Sequence, residues 1–197
     1  MTSPAFEILP RVFQGRTIRL EPLTTDHATD LFATADPTCF RYHGTAPREW
    51  SLEAFTDYIR AALAHTARHP FAAIHLAQGR AIGSTSFFEV RAAGRGLEIG
   101  FTWIATPLRS TAVNPEMKLL MMRHAFEDLG ALRVQLKCDS RNAQSRRAIE
   151  KLGAKQEGIL RRHAIMPDGY LRDSVVYSVI DDEWPAVRAG LEARCRV

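Results

Sequence analysis

Between Leu97 and Asp139 the chain spells out a strand, a loop, a helix and a second strand. This single β-α-β unit restricts the fold more than any other feature of the sequence. The first strand, LEIGFTWI over 97–104, alternates: Leu97, Ile99, Phe101 and Trp103 are expected on one face, and Glu98, Gly100, Thr102 and Ile104 on the other. The helix has Asn114 as its expected N-cap, Pro115 at the first helical position and Glu116 against the dipole. Met117, Leu120, Met121, Ala125 and Phe126 form its inward stripe, and Gly130 ends it. In the second strand, over 133–139, Val134, Leu136 and Cys138 alternate with polar residues.

The flanks complete one domain. A strand is expected over 17–23 from Ile18 and Leu20, then a helix over 25–35 that Asp36-Pro37 ends. Ser51 caps a second helix whose stripe is Leu52, Phe55, Tyr58, Ile59 and Leu63, running to about His65 or Arg68. Strands follow over 71–77 and 81–90 around a Gln78-Gly79-Arg80 turn, then a loop over 91–96. Beyond the β-α-β unit, Asn142 caps a helix with Ser145, Ala148, Ile149 and Leu152 inward and Gly153 at its end. Strands near 155–162 and 174–180 share a Pro167-Asp168-Gly169 turn, and 182–195 is a closing helix. With no linker and no repeat, the expectation is a flexible segment over 1–15 and one mixed α/β domain over 16–197.

Composition removes whole classes of function. The chain has a net charge of +4 and a pI near 9.2, yet its densest basic groups, Arg141/Arg146/Arg147 and Arg161/Arg162/His163, are flanked by acids. That is a solvated surface or a site for a small polyanion, not the aromatic-laced stripe of a nucleic-acid binder. No apolar run is long enough for a bilayer, and the first ten residues lack a secretory signal, so a cytoplasmic protein is expected. Cys39, Cys138 and Cys195 have neither metal-ligand nor disulfide spacing, so no metal is expected. Cys138 and Tyr177 read as core.

Chemistry concentrates at the junction WIATPLRSTAVNPE, where a helix N-terminus offers unpaired N–H groups to a phosphate. The junction contains no glycine, so it is neither a Walker A loop nor a dinucleotide fingerprint. Asn142 and Ser145 share one helix face; Asn142 serves as a cap, while Ser145 carries a hydroxyl into the inward stripe, where it needs a partner. His75, His124 and His163 have no telling spacing and read as structural, although His163 near Asp173 could line an acceptor site.

Three pieces in order, LEIGFTWI, RSTAVNPEMKLLMMRHAFEDLGALRV and CDSRNAQSRRAIEKLGA, with the ending EGILRRH…DGYLRDSVVYSVI…EW, are similar to the GNAT superfamily of N-acetyltransferases. The stretch from Glu98 to Leu152 resembles its RimJ/RimL-type branch, which acetylates ribosomal-protein N-termini. The likeness runs from Arg16 onward. It implies a single domain with a central, mostly antiparallel twisted sheet flanked by helices, its fourth and fifth strands parallel and splayed. It also implies acetyl-CoA as cosubstrate. The end of the fourth strand, Phe101, Trp103 and Ile104, would pair with the pantetheine arm. Main-chain groups of Arg109, Ser110, Thr111, Ala112, Val113 and Asn114 would take the pyrophosphate. Asn142 would hydrogen-bond the pantetheine, and Ser145 would protonate the leaving thiolate, a step many relatives give to a tyrosine. The family's loop is Gln/Arg-x-x-Gly-x-Gly/Ala; here Ser110 stands at the first glycine position and Ala112 at the second.

A primary amine is substantially protonated at neutral pH and must lose a proton to attack a thioester. Glu98 is the candidate general base; its structural alternative is an edge glutamate paired with Arg80 or Arg91. The resemblance implies direct transfer to an amine, either a protein N-terminus or a small molecule. The alternative is an acyl-CoA-binding module without catalysis. An exposed sheet edge or the C-terminal helix would support a homodimer, as in many relatives.

Overall fold

The computed structural model describes residues 6–196. Its eight strands form one sheet: β1 Phe13–Gln14, β2 Ile18–Pro22, β3 Arg68–His75, β4 Arg80–Arg91, β5 Gly96–Ile104, β6 Arg133–Asp139, β7 Lys155–Ile165 and β8 Leu171–Ile180. They lie in the order β1-β2-β3-β4-β5-β6-β8-β7, antiparallel throughout except for β5 and β6. That parallel pair is what the β-α-β unit demands. Helices α1 Ala28–Thr34 and α2 Leu52–Ala64 cover one face; α3 Val113–Arg123, α4 Ala143–Leu152 and α5 Trp184–Arg194 cover the other.

Two cores result. Leu97, Ile99, Val134 and Leu136 meet Met117, Met121 and Leu191 on the α3–α5 face, whereas Leu31, Phe40, Phe55 and Ile59 meet Ala72 and Trp103 on the α1–α2 face. Leu52 and Leu63, expected in the α2 stripe, are 42% exposed, and Ala62 is buried in that stripe.

The alternation expected for the strand LEIGFTWI, here β5, is broken. Ser84 pairs with Trp103 and Ser86 with Gly100, so β5 takes three steps where β4 takes two. Phe101, at φ +50°, sits in this bulge. A one-residue slip reverses every later side chain. Trp103 therefore leaves the face of Leu97 and Ile99 and joins the α1–α2 core, while Ile104, expected on the opposite face, turns to the α3–α5 side with Leu97 and Ile99.

The expected cap of α3 is corrected too. Ala112 is the N-cap, and Asn114 and Pro115 lie inside the first turn. Thr111 starts the helix early: its hydroxyl donates to the Leu108 carbonyl at 2.7 Å and accepts from Val113 N–H at 3.3 Å. Pro115 is harmless there because first-turn N–H groups have no intrahelical partner. Asn142 caps α4 as expected, accepting from Ser145 N–H at 3.0 Å, and Gly153 ends it at φ +105°.

Residues 6–15 belong to the domain, beyond the boundary expected from the sequence. β1 pairs with β2, and Ile8 and Phe13 enter the larger core. Glu116 fastens the turn between these strands. Its buried carboxylate accepts from the N–H groups of Arg16, Thr17 and Ile18 at 2.6, 2.8 and 2.9 Å. Residues 1–5 of the expected flexible segment lie outside the described residues.

Candidate active site

β5 and β6 pair only from Gly96 to Glu98 against Arg133 to Gln135. Beyond that, β5 follows β4 and β6 follows β8, so a gap opens in the middle of the sheet. Phe101, Trp103 and Ile104 line its β5 edge. The Phe101 side chain meets Phe88, and Trp103 is buried among Phe40 and Phe55. The Ile104 carbonyl accepts from Arg109 Nε at 3.2 Å.

The loop after β5 is held from within. Arg109 also donates to Cys39 Sγ at 3.1 Å, which ties the loop to the segment after α1. Ser110 adopts φ +64°, the left-handed conformation that a glycine takes without penalty. The backbone thus keeps the bend for which the family's glycine is suited, with a serine in place. Ala112, Val113 and Asn114 open α3, whose free N–H groups give this end partial positive charge. On the same side of the sheet, Asn142 Oδ1 is engaged as the cap, and Ser145 stands beside Cys138, whose thiol is pushed up by burial.

Glu98 projects to the α1–α2 side and is 5% exposed. Its partners are neither Arg80 nor Arg91: Oε2 accepts from Gln135 Nε2 and Lys137 Nζ, both at 3.0 Å. Oε1 has no hydrogen-bond partner among the described residues. It lies over Gly100, where a Cβ would stand 3.2 Å from it. Glu98 and Ser145 therefore flank the gap from opposite faces. His163, hydrogen-bonded to Ser174 Oγ at 3.1 Å, is kept below its usual pKa by desolvation and by Lys137 and Arg172.

Four residues at the site carry no assigned role in the sequence reading. Lys118 rises from α3 to the bulge and donates from Nζ to Thr102 Oγ1 at 2.8 Å. It is buried, and desolvation pushes its pKa down to about 7 against the opposing pull of Glu98. The signal was a lysine in a helix buried on every side. Arg68, Arg172 and His43 come together on the α1–α2 side. His43 lies beside the Thr102 main chain and is pushed down to about 4 by desolvation and by Arg172, Arg68 and Arg109. No spacing in the sequence connects these three. Among the described residues no group of three or more His, Cys, Asp or Glu is placed to hold a metal, and no helix is long and apolar enough to cross a membrane.

Over residues 17–155 the chain matches the family described as "Acetyltransferase (GNAT) domain". Among solved structures, a candidate acetyltransferase from T. thermophilus is 40% identical, with a TM-score of 0.90 over 95% of this chain and 98% of that one. A GCN5-related N-acetyltransferase from Brucella melitensis is 30% identical, with a TM-score of 0.88 over 94% of this chain and 86% of that one. Mycobacterium smegmatis RimJ, solved in complex with CoA-disulfide, shares the fold at 19% identity and a TM-score of 0.74, over 93% and 91% of the two chains. No curated protein matches the chain by sequence.

Proposed function

We propose that this chain, which belongs to the GNAT family of acetyltransferases, transfers an acetyl group directly from acetyl-CoA to a primary amine. The observation that carries this reading is the gap between β5 and β6, with Glu98 on one side and Lys118, Asn142 and Ser145 on the other. The residues suit the cosubstrate. An unpaired strand edge from Phe101 to Ile104 fits an amide-bearing arm, and the α3 terminus with the Arg109–Ala112 loop fits a pyrophosphate. Bound there, acetyl-CoA supplies an activated acyl carbon.

The chain's own groups then manage protons and charge. Glu98 Oε1 takes a proton from the amine, while Lys137 and Gln135 hold the carboxylate by its other oxygen. The amine nitrogen bonds to the acyl carbon as the carbon–sulfur bond breaks. Ser145 passes its hydroxyl proton to the departing sulfur and takes one back from solvent. Lys118 places a cation under the bulge, where it offsets the negative charge that develops on the acyl oxygen.

The test is release of CoA thiol from acetyl-CoA against a panel of amines, with binding followed by calorimetry. Glu98→Gln is expected to lower kcat about 10²- to 10⁴-fold with acetyl-CoA affinity little changed. Asn142→Ala with Ser145→Ala is expected to weaken acetyl-CoA binding. Acetyl-CoA binding with no amine-dependent thiol release would make the chain an acyl-CoA-binding module instead.

A further inference from the structure

A guanidinium stays ionised at any physiological pH, so burying one without a carboxylate partner is costly. Arg68, at the start of β3, is 7% exposed. Its Nε donates to Ser86 Oγ at 2.8 Å, and its guanidinium lies 4.2 Å from the ring centre of Phe101, the bulge residue of β5. No acid among the described residues pairs with it, and its two terminal nitrogens have no hydrogen-bond partner there. The Tyr58 hydroxyl beside it is buried and makes no hydrogen bond of good geometry.

Arg172, on β8 across the gap, shares a neighbour with Arg68: both act on His43. Its Nη1 reaches the Tyr42 carbonyl only at 3.5 Å, and its Nε is buried without a partner. The nearby acids are already engaged: Asp139 holds Arg141 through both oxygens, and Glu98 holds Lys137. Arg109 is committed to the Ile104 carbonyl and Cys39. His43 lies among Arg172, Arg68 and Arg109, which together with burial keep it neutral, so it adds hydrogen-bonding capacity without a further charge. The segment after α1 that carries Tyr42 and His43 thus brings together two guanidiniums without an acid partner among the described residues, a neutral imidazole and, beside Arg68, the Tyr58 phenol. It lies on the face of the sheet to which Glu98 projects.

We propose that Arg68 and Arg172 form a carboxylate subsite, and that the acceptor is a small amine carrying a carboxylate, such as an amino acid. The inference rests on the reading of the chain as an acetyltransferase and specifies its acceptor. A carboxylate taken between the guanidiniums supplies the missing counter-charge and turns the amine toward Glu98. The same cations repel polyamines and aminoglycosides. A protein N-terminus, whose nearest carboxylate is variable, does not satisfy them.

The experiment is acetyl transfer to matched sets of amines, each amino acid beside its carboxamide and its decarboxylated counterpart. β-Alanine and 4-aminobutyrate extend the set. The acid of each matched set is expected to exceed its neutral partners by about 10- to 100-fold in kcat/KM, the range for a charged hydrogen-bonded pair. Arg68→Met, and separately Arg172→Met, are expected to erase that preference while acetyl-CoA binding by calorimetry stays intact. Direct binding of N-acetyl amino acids in the presence of CoA, compared with their N-acetyl carboxamides, gives the same reading without turnover. Transfer to amines regardless of the carboxylate, or equal binding of acid and amide, overturns the subsite and leaves the acetyltransferase reading standing. Failure of acetyl-CoA to bind overturns that reading and the acceptor with it, and binding of N-acetyl amino acids against their carboxamides without CoA then decides the carboxylate subsite separately.

Discussion

On the α3–α5 face of the sheet, Glu116 is buried with three backbone N–H groups on its carboxylate; on the α1–α2 face, Arg68 is buried nearly as deeply, and its terminal nitrogens have no hydrogen-bond partner of good geometry among the described residues. Around Glu116 the polar groups are mostly accounted for. His124 and Arg11 meet Asp128, and Trp184 Nε1 donates to Glu127 at 2.9 Å; Arg123 Nε and His124 Nε2 are the exceptions. On the face of Arg68, by contrast, Tyr58 Oη, Ser84 Oγ, Trp103 Nε1 and Arg172 Nε are buried with no hydrogen-bond partner among the described residues. A satisfied buried charge fastens a fold, and an unsatisfied one is a cost the fold bears for a ligand. Lys118 stands between these regions, on the helix of Glu116 but with only a threonine hydroxyl for company.

The sharpest way to break the contrast is to remove Glu116. Glu116→Ala removes three hydrogen bonds to a charged group at the β1–β2 turn, each worth about 1.5–3 kcal/mol, and leaves the Ile18 donor buried without an acceptor. A loss of at least about 3 kcal/mol in urea denaturation is expected, with Glu116→Gln between mutant and parent. A change below about 1 kcal/mol would show that this face does not depend on its buried carboxylate, and the comparison would fail.

Lys118→Met should act in the opposite direction. Exchanging a buried charge for an apolar chain of similar length removes its desolvation penalty, so a gain in stability of about 1 kcal/mol or more is expected. The sign with pH follows from the lowered pKa. Between about 7 and the usual 10.5, the unfolded chain keeps a proton that the folded one has shed. Wild-type stability therefore gains as pH rises through that window and carries the full penalty below it. The mutant's advantage should be largest near pH 6 and fade toward pH 10, while acetyl transfer falls about 10²-fold. A mutant less stable at both pH values, with transfer unchanged, would place Lys118 with Glu116 as a structural residue.

What the sequence discloses follows the same divide. The β-α-β unit, the Asn142 cap, the Gly153 stop and the buried Tyr177 depend on neighbours along the chain, and each stands where the local pattern puts it. The bulge at Phe101 is silent because LEIGFTWI alternates smoothly; only Gly100 hints at an irregular strand. Arg68 reads as the end of a helix, and its burial arises from pairing with Phe88 across two strands. Arg172 and His43 lie far apart along the chain and meet only once it has folded. The β-α-β unit and the α4 cap were thus legible in the residues, and the gap through the family resemblance alone, whereas the cations that would recognise an acceptor were not.

The smallest effect tests whether the loop between β5 and α3 belongs to the strained, ligand-serving part of the molecule. Ser110 holds φ +64° with an L side chain, a conformation that costs about 1–2 kcal/mol for residues other than glycine. Ser110→Gly removes that strain but gives the unfolded chain more freedom, worth about 0.4–1 kcal/mol in the other direction. A net gain near 0.5 kcal/mol is therefore expected, read as a small rise in the urea midpoint, with acetyl-CoA affinity equal or tighter. Ser110→Val, β-branched in the same conformation, should lose stability and weaken acetyl-CoA binding together. If Ser110→Gly instead weakens acetyl-CoA more than about tenfold, the hydroxyl itself holds the ligand. The serine would then be a ligand-binding group retained despite its strain, as the buried cations across the sheet are retained despite theirs.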